Sequence, residues 1–479
     1  MRLTDTLSNE KIELKPLAAD GVVRMYVCGV TPYSESHVGH ALKAIVFDVL
    51  RRYLDWRDIP VRHIENFTDI DDKLIDRSQK LGISMAELAE QNISTYLAQM
   101  EAMNVLPAHA YPRVTETVPL IVDFIGSLIE KGFAYAAGGD VYYRVRKYAD
   151  YGKLSKRDVD DLLSGARIEP GELKEDPLDF ALWKGAKPGE PSWNSPWGEG
   201  RPGWHIECSA MALKELGEQI DIHGGGADLI FPHHTNEIAQ TEAYTGNPPF
   251  ARIWMHNALL QLGEEKMSKS LGNLVSIREA LEQFGPDALR MFVINSHYRS
   301  PVTYGDEALE AAKAGADRLR MAATGAQPPQ RLMPPVDAEP TVERFIAAME
   351  DDLNTPQALA ALFDLSREIN RARDRGREIE QAQETLIELC EVLGLTLEAV
   401  EKVPTDRAPF ISLIVEIRGK SGLAESAPDA SDAIEELIEM RREYRANKQW
   451  ELADKVRNGL TALGIELMDG PNGTDWVVK

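Results

Sequence analysis

The chain has few cysteines and no long apolar run, and each of these shortages excludes a class of protein. Three cysteines in 479 residues are too few for a disulfide framework, which excludes a scaffold held together by disulfides. No apolar stretch approaches the roughly 20 residues that a membrane-spanning helix needs, and the first residues contain no apolar signal segment. We therefore expect a cytoplasmic protein without a membrane partner.

Positive charge is also scarce. The formal net charge is −24, with 53 lysines and arginines against 77 aspartates and glutamates. This balance argues against a nucleic-acid partner, because phosphate binding depends on Lys and Arg. One local exception lies between Arg441 and Arg457, where six basic residues stand against three acidic ones. We predict a basic helix here, which by charge alone is most simply a solvated face with i,i+4 ion pairs.

The chain does contain enough apolar residues, 43% of the total, to build several cores. Strand and helix patterns alternate first, and the pattern then becomes almost purely helical. We predict three domains: a Rossmann-like parallel α/β domain at 1–305 with an insertion at about 115–200, a helical bundle at 306–400, and a linker with a small domain at 401–479. The glycine run at 224–226 indicates a tight turn after a strand at 219–222.

Two short motifs indicate phosphate chemistry. Residues 37–40 (HVGH) follow an apolar strand at 22–29 and place two imidazoles at i and i+3 on one face of a helix. Gly39 between them lets a ligand approach the backbone. Residues 266–270 (KMSKS) place two ammonium groups three residues apart in a polar loop. Nucleotidyl transfer needs positive charge where negative charge develops, so the two motifs together predict an ATP site.

Potential metal ligands occur in three distant segments. A helix is predicted to start near Pro232, which suits the first helical position. His233 and Glu237 then lie at i and i+4 on one face and can clip a divalent ion. Strand topology brings Cys28 and Cys208 near this pair, and zinc accepts sulfur, nitrogen and oxygen donors. From spacing alone two alternatives stay open, a buried cysteine that only packs and a His–Glu pair that only hydrogen-bonds at the surface.

These motifs resemble the HIGH and KMSKS signatures of the class I aminoacyl-tRNA synthetases. Within that class the chain is similar to the cysteinyl-tRNA synthetase family. The segments that show the similarity are 25–33, 37–40, 66–73, 202–211, 221–237 and 266–270, together with the final helix and tail. The chain departs from the family's usual pattern at Leu42, Thr235 and Pro32, none of which is a predicted ligand.

The resemblance implies an enzyme that activates L-cysteine with ATP and Mg²⁺ and transfers it to the 3′ end of tRNA(Cys). It implies one Zn²⁺ per chain, held by Cys28, Cys208, His233 and Glu237. The residues that it implies for ATP binding and catalysis are His37, Gly39, His40, Lys266 and Lys269. The implied amino-acid pocket consists of Tyr33, Thr68 and Trp204. The residues implied for reading the anticodon are Arg445, Trp450, Asp454 and Asp469.

The chemistry of the substrate gives an independent reason to expect a metal. Cysteine and serine differ only in that cysteine has sulfur where serine has oxygen. A pocket that selects by size alone separates two such substrates by a binding free energy of only about 1–3 kcal/mol. Zinc bound by the substrate sulfur deprotonates the thiol, whereas a hydroxyl is a poorer ligand. We therefore expect the substrate thiolate to become a further zinc ligand, without an editing domain.

Two other functions stay open at this point. A related ligase that couples cysteine to an amino sugar would share the catalytic half but lack the final domain, so residues 441–479 argue against it. A catalytically silent, tRNA-binding regulator would have no need to keep both motifs and all four ligands. We expect a monomer whose partners are tRNA(Cys), L-cysteine and ATP.

Overall fold

The structure is a computed structural model that describes residues 1–157, 173–262, 265–266, 275–327, 334–398, 406–418, 430–470 and 473–478. The chain forms two compact units, Met1–Leu397 and Glu398–Lys479, and each is described by itself. No helix among these described residues is long and apolar enough to cross a membrane.

The secondary structure alternates strands and helices in the first part of the chain and is mainly helical afterwards. The strands are β1 (Arg2–Asp5), β2 (Glu10–Glu13), β3 (Val23–Val30), β4 (Val61–Phe67), β5 (Ala134–Ala137), β6 (Asp140–Tyr143), β7 (Phe180–Gly185), β8 (Gly200–Pro202), β9 (Ile220–Gly226), β10 (Ala251–Asn257), β11 (Leu260–Leu262), β12 (Glu265–Lys266), β13 (Val302–Tyr304), β14 (Ile465–Gly470) and β15 (Gly473–Val478). The longer helices of the first unit are α1 (Val38–Trp56), α2 (Asp72–Leu81), α3 (Met85–Ala102), α4 (Val118–Glu130), α5 (Trp204–Leu216), α6 (Thr235–Thr245), α7 (Ile277–Phe284), α8 (Pro286–Ile294), α9 (Asp306–Thr324), α10 (Glu339–Glu350), α11 (Thr355–Asp374) and α12 (Glu380–Val392). Those of the second unit are α13 (Ala408–Arg418), α14 (Ala430–Ala446) and α15 (Trp450–Ala462).

A parallel sheet of four strands lies at the centre of the first unit, in the spatial order β10-β9-β3-β4. Helix α1 connects β3 to β4, and α6 lies between β9 and β10 in the chain. From β3 the chain therefore continues to β4 on one side of the sheet, and from β9 it continues to β10 on the other side, so the strand order reverses between β3 and β9. Open α/β sheets bind their ligands beyond the carboxyl ends of the strands at such a reversal, so this edge is the expected position of a site.

The alternation of side chains along the strands separates two cores, one on each face of the sheet. On β3, Met25 and Val27 pack into the core that contains α1, while Tyr26 and Cys28 pack into the core that contains α4, α5 and α6. Helix α1, which begins with the HVGH motif, therefore packs on one face of β3, and the Cys28 thiol lies on the other face.

The predicted insertion folds as a small layer of its own. It comprises α4 and a four-stranded antiparallel sheet in the order β5-β6-β7-β8. A Cβ at Gly203 would lie 2.1 Å from the carbonyl oxygen of Ala181, so only glycine lets the chain pass from β8 into α5 against β7. The insertion therefore fixes the start of α5, the helix on which Trp204 and Cys208 lie.

The carboxyl-terminal half is helical, as the sequence predicts. Helices α9 to α12 pack on the first unit's core, and the second unit combines α13 to α15 with the β14/β15 hairpin around a separate core. The predicted fold class, a parallel α/β domain with an insertion, a helical bundle and a small final domain, is confirmed. The domain boundaries at 305 and 400 stay predictions, and the predicted linker at 403–405 lies outside the described residues.

Two local predictions were wrong. The basic segment between Arg441 and Arg457 is not one helix, because the chain breaks between α14 and α15 where Lys448 adopts a left-handed φ of 59°. The glycine run at 224–226 is not a tight turn but the end of β9. A Cβ at Gly224 would lie 2.3 Å from the ring of Phe47, so glycine is needed there for packing between β9 and α1.

Candidate metal centre and nucleotide site

Four buried donor atoms converge beyond the carboxyl ends of the central strands. Cys28 lies near the end of β3, Cys208 on α5, His233 in the turn before α6, and Glu237 in the first turn of α6. The two Sγ atoms are 3.5 Å apart, and Glu237 Oε1 lies 3.5 Å from Cys28 Sγ and 3.1 Å from His233 Nε2. All four donor atoms lie within 4.8 Å of one another. The structure thus brings together residues from three distant segments.

The spacing and chemistry of this set suit a metal ion. Around a tetrahedral zinc with bonds of about 2.0–2.3 Å, neighbouring ligand atoms lie roughly 3.3–3.8 Å apart. The distances measured here are close to that range. Moreover, a fully buried carboxylate beside two thiols is electrostatically unfavourable alone, and a divalent cation would compensate it. The residues present therefore fit a four-coordinate ion with S, S, N and O donors.

The turn before α6 enters helical backbone at the predicted position, Pro232. Phe231 is extended (φ −139°, ψ 131°), and an irregular turn at Ile230–His234 precedes the regular helix, which begins only at Thr235. Phe231 is the residue of this turn with non-helical dihedral angles, so the helical backbone begins at Pro232, as predicted, and the regular α-helix follows from Thr235. His233 and Glu237 still face each other across one helical turn, because His234 and Thr235 between them have helical dihedral angles.

Four further histidines, to which sequence reasoning assigns no role, surround the donor set: His205, His223, His234 and His256. His223 Nε2 lies 2.8 Å from Glu237 Oε2, whereas the other carboxylate oxygen, Oε1, is the one that contacts Cys28 and His233. His205 Nδ1 lies 3.1 Å from His233 Nδ1. A local sequence pattern does not show these contacts, because they join different elements.

A second set of donors overlaps the first, since Cys28 and Glu237 also lie within 4.8 Å of His223 and His234. The 2.8 Å contact from His223 to Glu237 has the length of a hydrogen bond and is short for two ligands of one ion. It suits a histidine that orients a ligating carboxylate from outside the coordination sphere. We therefore favour the set with Cys208 and His233.

Burial sets the protonation of these groups. It lowers the pKa of His233 to about 3, so this imidazole is neutral at neutral pH and can offer a lone pair to a metal. Burial also raises the pKa of the Cys28 thiol well above its usual value. Metal binding must therefore release protons from the thiols, and metal affinity should rise with pH.

Trp204 and Thr68, predicted for the amino-acid pocket, lie beside the donor set. The Trp204 ring stacks on His233 at a centroid distance of 4.3 Å, and 40% of the residue is exposed, so it forms a partly open wall. Thr68 Oγ1 donates to Glu207 Oε2 at 3.1 Å and accepts from Asn66 Nδ2 at 3.3 Å. Neither Glu207 nor Asn66 was predicted for the site.

Tyr33, the third predicted pocket residue, lies in the loop between β3 and α1. Its ring packs beside Leu74 and Leu88, and the Lys73 ammonium lies 5.5 Å from the ring centroid. Partial burial raises the pKa of the Tyr33 hydroxyl, which therefore stays protonated at neutral pH.

The HVGH motif forms the amino-terminal cap of α1. His37 Nδ1 accepts from the Gly39 amide at 3.2 Å, His40 Nδ1 accepts from the His37 amide at 3.2 Å, and the two rings stack at 3.9 Å. Because each Nδ1 accepts, a neutral ring carries its proton on Nε2, which becomes a donor suited to phosphate oxygens. A Cβ at Gly39 would lie 2.9 Å from the His37 ring, a second reason for glycine here.

The segment that follows KMSKS returns to this cap. Val38 donates from its amide to the Val275 carbonyl at 3.1 Å, and His37 forms a bridge with Ser276. Lys266 lies in β12, opposite Gln261 of β11. Lys269 and residues 267–270 as a whole lie outside the described residues. The described part of the chain thus joins the flank of the second motif to the first.

Comparison with known proteins identifies the family. The model for the tRNA synthetases class I (C) catalytic domain matches residues 14–314, and the DALR domain model matches residues 344–398. A cysteine–tRNA ligase of Dehalococcoides mccartyi is 54% identical, with 100% of both chains covered. A cysteine–tRNA ligase of Pseudomonas aeruginosa is 48% identical, with 99% of both covered. This chain belongs to the cysteine–tRNA ligase family.

Solved structures show the class I fold. A methionyl-tRNA synthetase of Mycobacterium tuberculosis in complex with methionyl-adenylate superposes with a TM-score of 0.55 at 17% identity, covering 78% of this chain and 89% of that one. A leucyl enzyme of Agrobacterium radiobacter in a ternary complex gives 0.58 at 11% identity, covering 80% and 84%. At these identities the likeness concerns the fold alone.

In this member of the cysteine–tRNA ligase family, the residues predicted to read the anticodon belong to the second unit. Arg445 is exposed in the last turn of α14. Trp450 is the first residue of α15 and is 58% exposed, and exposed Asp454 follows one turn later. Asp469 lies in β14, but its side chain is outside the described part of the chain. Trp450 is thus at the surface.

Proposed function

We propose that this chain activates L-cysteine with ATP to form cysteinyl-adenylate and transfers the cysteinyl group to the 3′ end of tRNA(Cys). The observation that supports this most is the buried pair of thiols with His233 and Glu237, at the sheet edge where the HVGH helix begins. The similarity to cysteine–tRNA ligases over the whole chain supports the same reaction. As a translation enzyme it would act in the cytoplasm, as a monomer.

For amino-acid recognition we assign Cys28, Cys208, His233 and Glu237 as ligands of one zinc ion. Bound there, zinc would supply a soft Lewis acid that binds a thiol far better than a hydroxyl and so separates cysteine from serine. Trp204, stacked on His233, covers one side of the substrate. Thr68 and Tyr33 complete the pocket in this proposal.

In the first step the cysteine carboxylate attacks the α-phosphorus of ATP, and pyrophosphate leaves. His37 and His40, whose Nδ1 atoms are used in the helix cap, donate from Nε2 to the phosphate oxygens. Lys266 and Lys269 hold the β- and γ-phosphates of the ATP, which arrives with Mg²⁺. These groups stabilise the charge that develops on the leaving pyrophosphate.

In the second step the terminal ribose hydroxyl of the tRNA attacks the cysteinyl carbonyl, and AMP leaves. No covalent enzyme intermediate is needed. The second unit selects the tRNA: Trp450 stacks on an anticodon base, and Arg445, Asp454 and Asp469 contact base edges and phosphates.

Two assays test this function. Purified protein should catalyse cysteine-dependent ATP–pyrophosphate exchange and should charge tRNA(Cys), with serine inactive in both assays. Exchange without tRNA charging, but with transfer to an amino sugar, would favour the related ligase. If protein that contains zinc shows no pyrophosphate exchange, the catalytically silent, tRNA-binding regulator would be the favoured function. The match to cysteine–tRNA ligases includes residues 441–479, which favours the tRNA ligase over the amino-sugar ligase.

A change at Lys269 tests the phosphate assignment. We expect Lys269→Ala to slow pyrophosphate exchange about 100-fold or more, because a donor to the developing charge is lost, while the zinc content stays the same. Lys80→Ala, at an exposed lysine paired with Asp76, is the control and should leave exchange intact. Normal exchange by the Lys269 variant would refute the assignment.

A further inference from the structure

Side chains hold the peptide bond that follows Cys28 from both ends. The pairing of β3 with β4 shifts here, from Val27↔Glu65 to Val30↔Phe67. The carbonyl oxygen of Cys28 instead accepts from Lys43 Nζ at 2.8 Å, and the amide of Gly29 donates to Asn66 Oδ1 at 2.9 Å. An irregularity of this kind next to an active site redirects the side chain that it carries. Here that side chain is the Cys28 thiol.

Lys43 makes this contact from the interior. The lysine and its partner Glu65 are both buried, with Nζ 2.7 Å from Glu65 Oε1. The same carboxylate oxygen accepts from the Tyr96 hydroxyl at 2.8 Å. A buried charge is unfavourable unless it is paired and hydrogen-bonded, and both conditions are met here. A Lys43–Glu65 pair that served packing alone would not need a contact with a metal-donor residue. The Lys43 ammonium nevertheless also donates to the carbonyl oxygen of Cys28.

The position of Lys43 on α1 connects the two halves of the reaction. It lies three residues after His40, which places it one helical turn from the HVGH cap. Helix α1 covers one face of the sheet, whereas the Cys28 thiol belongs to the core on the other face. Lys43 therefore contacts the backbone of Cys28 from the face of the sheet opposite to the Cys28 thiol. This contact links Cys28 to α1, the helix that begins with the HVGH motif.

We propose that Lys43 is a positioning residue for cysteine recognition. Its ammonium fixes the Cys28–Gly29 peptide and thereby aims the Cys28 thiol at Cys208, His233 and Glu237. This inference rests on the proposed function and adds to it a residue that contacts neither the substrate nor the ion.

The test separates positioning from simple stability. We would compare the full-length wild type with Lys43→Met and with the double variant Lys43→Met/Glu65→Leu, which replaces the buried pair by apolar side chains. Tyr96→Phe is the matched control, because it removes the other donor to Glu65 and keeps the Lys43–Cys28 contact. Three quantities are measured: the zinc dissociation constant by competition with a chelating dye, L-cysteine binding by calorimetry, and the urea midpoint.

We expect Lys43→Met to weaken zinc binding about 10-fold or more, in the range found when residues that orient metal ligands are lost. L-cysteine binding, measured by calorimetry, should weaken as well. The double variant should recover the urea midpoint but not the affinity for zinc or cysteine. Tyr96→Phe should keep wild-type zinc and cysteine binding.

Recovery of both stability and zinc affinity in the double variant would overturn the proposal, because an apolar pair would then do everything that Lys43 does. If Lys43→Met does not fold, the double variant alone decides the question. Zinc binding is measured without catalysis. A wild type that binds zinc but lacks cysteine-dependent exchange would therefore refute the proposed function and leave the Lys43 comparison interpretable.

Discussion

At the scale of single residues, the two oxygens of the Glu237 carboxylate have different partners. Oε1 faces Cys28 and His233, and Oε2 lies 2.8 Å from His223. One oxygen can therefore serve an ion while a histidine on β9 fixes the orientation of the other. This division explains why an acid that lies in the first turn of a helix is wholly buried.

Changing Glu237 tests this division. We expect Glu237→Gln to bind zinc at least about 10-fold more weakly, because the amide keeps the shape but removes the charge that an ion needs. Glu242→Gln is the matched control: it is a buried acid on the same helix that bonds to Lys153, away from the donor set. Equal zinc content in both variants, measured by atomic absorption, would argue against Glu237 as a ligand.

His63 gives a prediction about pH. Burial lowers its pKa to about 4 from an ordinary value near 6.5. As the pH falls through this interval the unfolded chain binds a proton that the folded chain does not, so this residue makes stability fall with falling pH. Between about pH 7.5 and about pH 5.5 the free energy of unfolding should fall in both proteins, and the fall should be about 1 kcal/mol smaller in His63→Leu than in the wild type. Urea unfolding at the two pH values measures this difference. An identical pH dependence in the two proteins would contradict the assignment.

At the scale of elements, the glycines at the end of β9 determine how closely α1 can pack. The Phe47 ring occupies the space in which a side chain at position 224 would lie. The register that places β9 beside β3, with Val27 opposite Gly224, depends on this approach. Because Cys28 follows Val27, packing on the α1 face also sets the geometry of the donor set.

A substitution at Gly224 measures this packing. Gly224→Ala should destabilise the protein by about 1–3 kcal/mol, the usual cost of overpacking, and Phe47→Leu in the same chain should restore part of that loss. Gly126→Ala, within α4 with open space around it, should be neutral or stabilising. Thermal unfolding distinguishes the cases, and a full effect of Gly224→Ala that Phe47→Leu does not relieve would count against the contact.

At the scale of the whole molecule, the net charge does not indicate the partner, and the residues predicted to contact the tRNA anticodon belong to the second unit. The net charge of −24 alone disfavours an RNA partner, yet the family acts on tRNA. The second unit has its own core, formed by residues such as Leu437, Val456 and Leu460. Trp450 is exposed and lies outside this core.

Replacement of Trp450 should separate the two half-reactions. Trp450→Ala is expected to lower kcat/KM for tRNA charging roughly 10-fold, as loss of one base-stacking contact predicts, and to leave pyrophosphate exchange unchanged. Met321→Ala, at a similarly exposed apolar side chain of the first unit (57% against 58%), is the control. A parallel loss of exchange in the Trp450 variant would indicate a structural role instead.

The sequence by itself determined the features that depend on local periodicity and on short motifs. Helix α1, strands β3 and β4, and the pairing of His233 with Glu237 follow from spacings of 2.0 and 3.6 residues, which the covalent geometry of the chain imposes. The four donor residues were named from one pair at helical spacing together with the family resemblance. The glycines at 224–226 were misplaced, because their local signal is equally compatible with a turn or a strand.

Only the tertiary structure decided which groups surround those donors. His223 on β9, Asn66 on β4 and Lys43 on α1 reach the site from separate elements, through contacts that depend on strand register and on close packing between layers. The irregular pairing at Cys28 likewise exists only between two strands. Such contacts join residues that are far apart in the chain, and no local pattern of side chains encodes them.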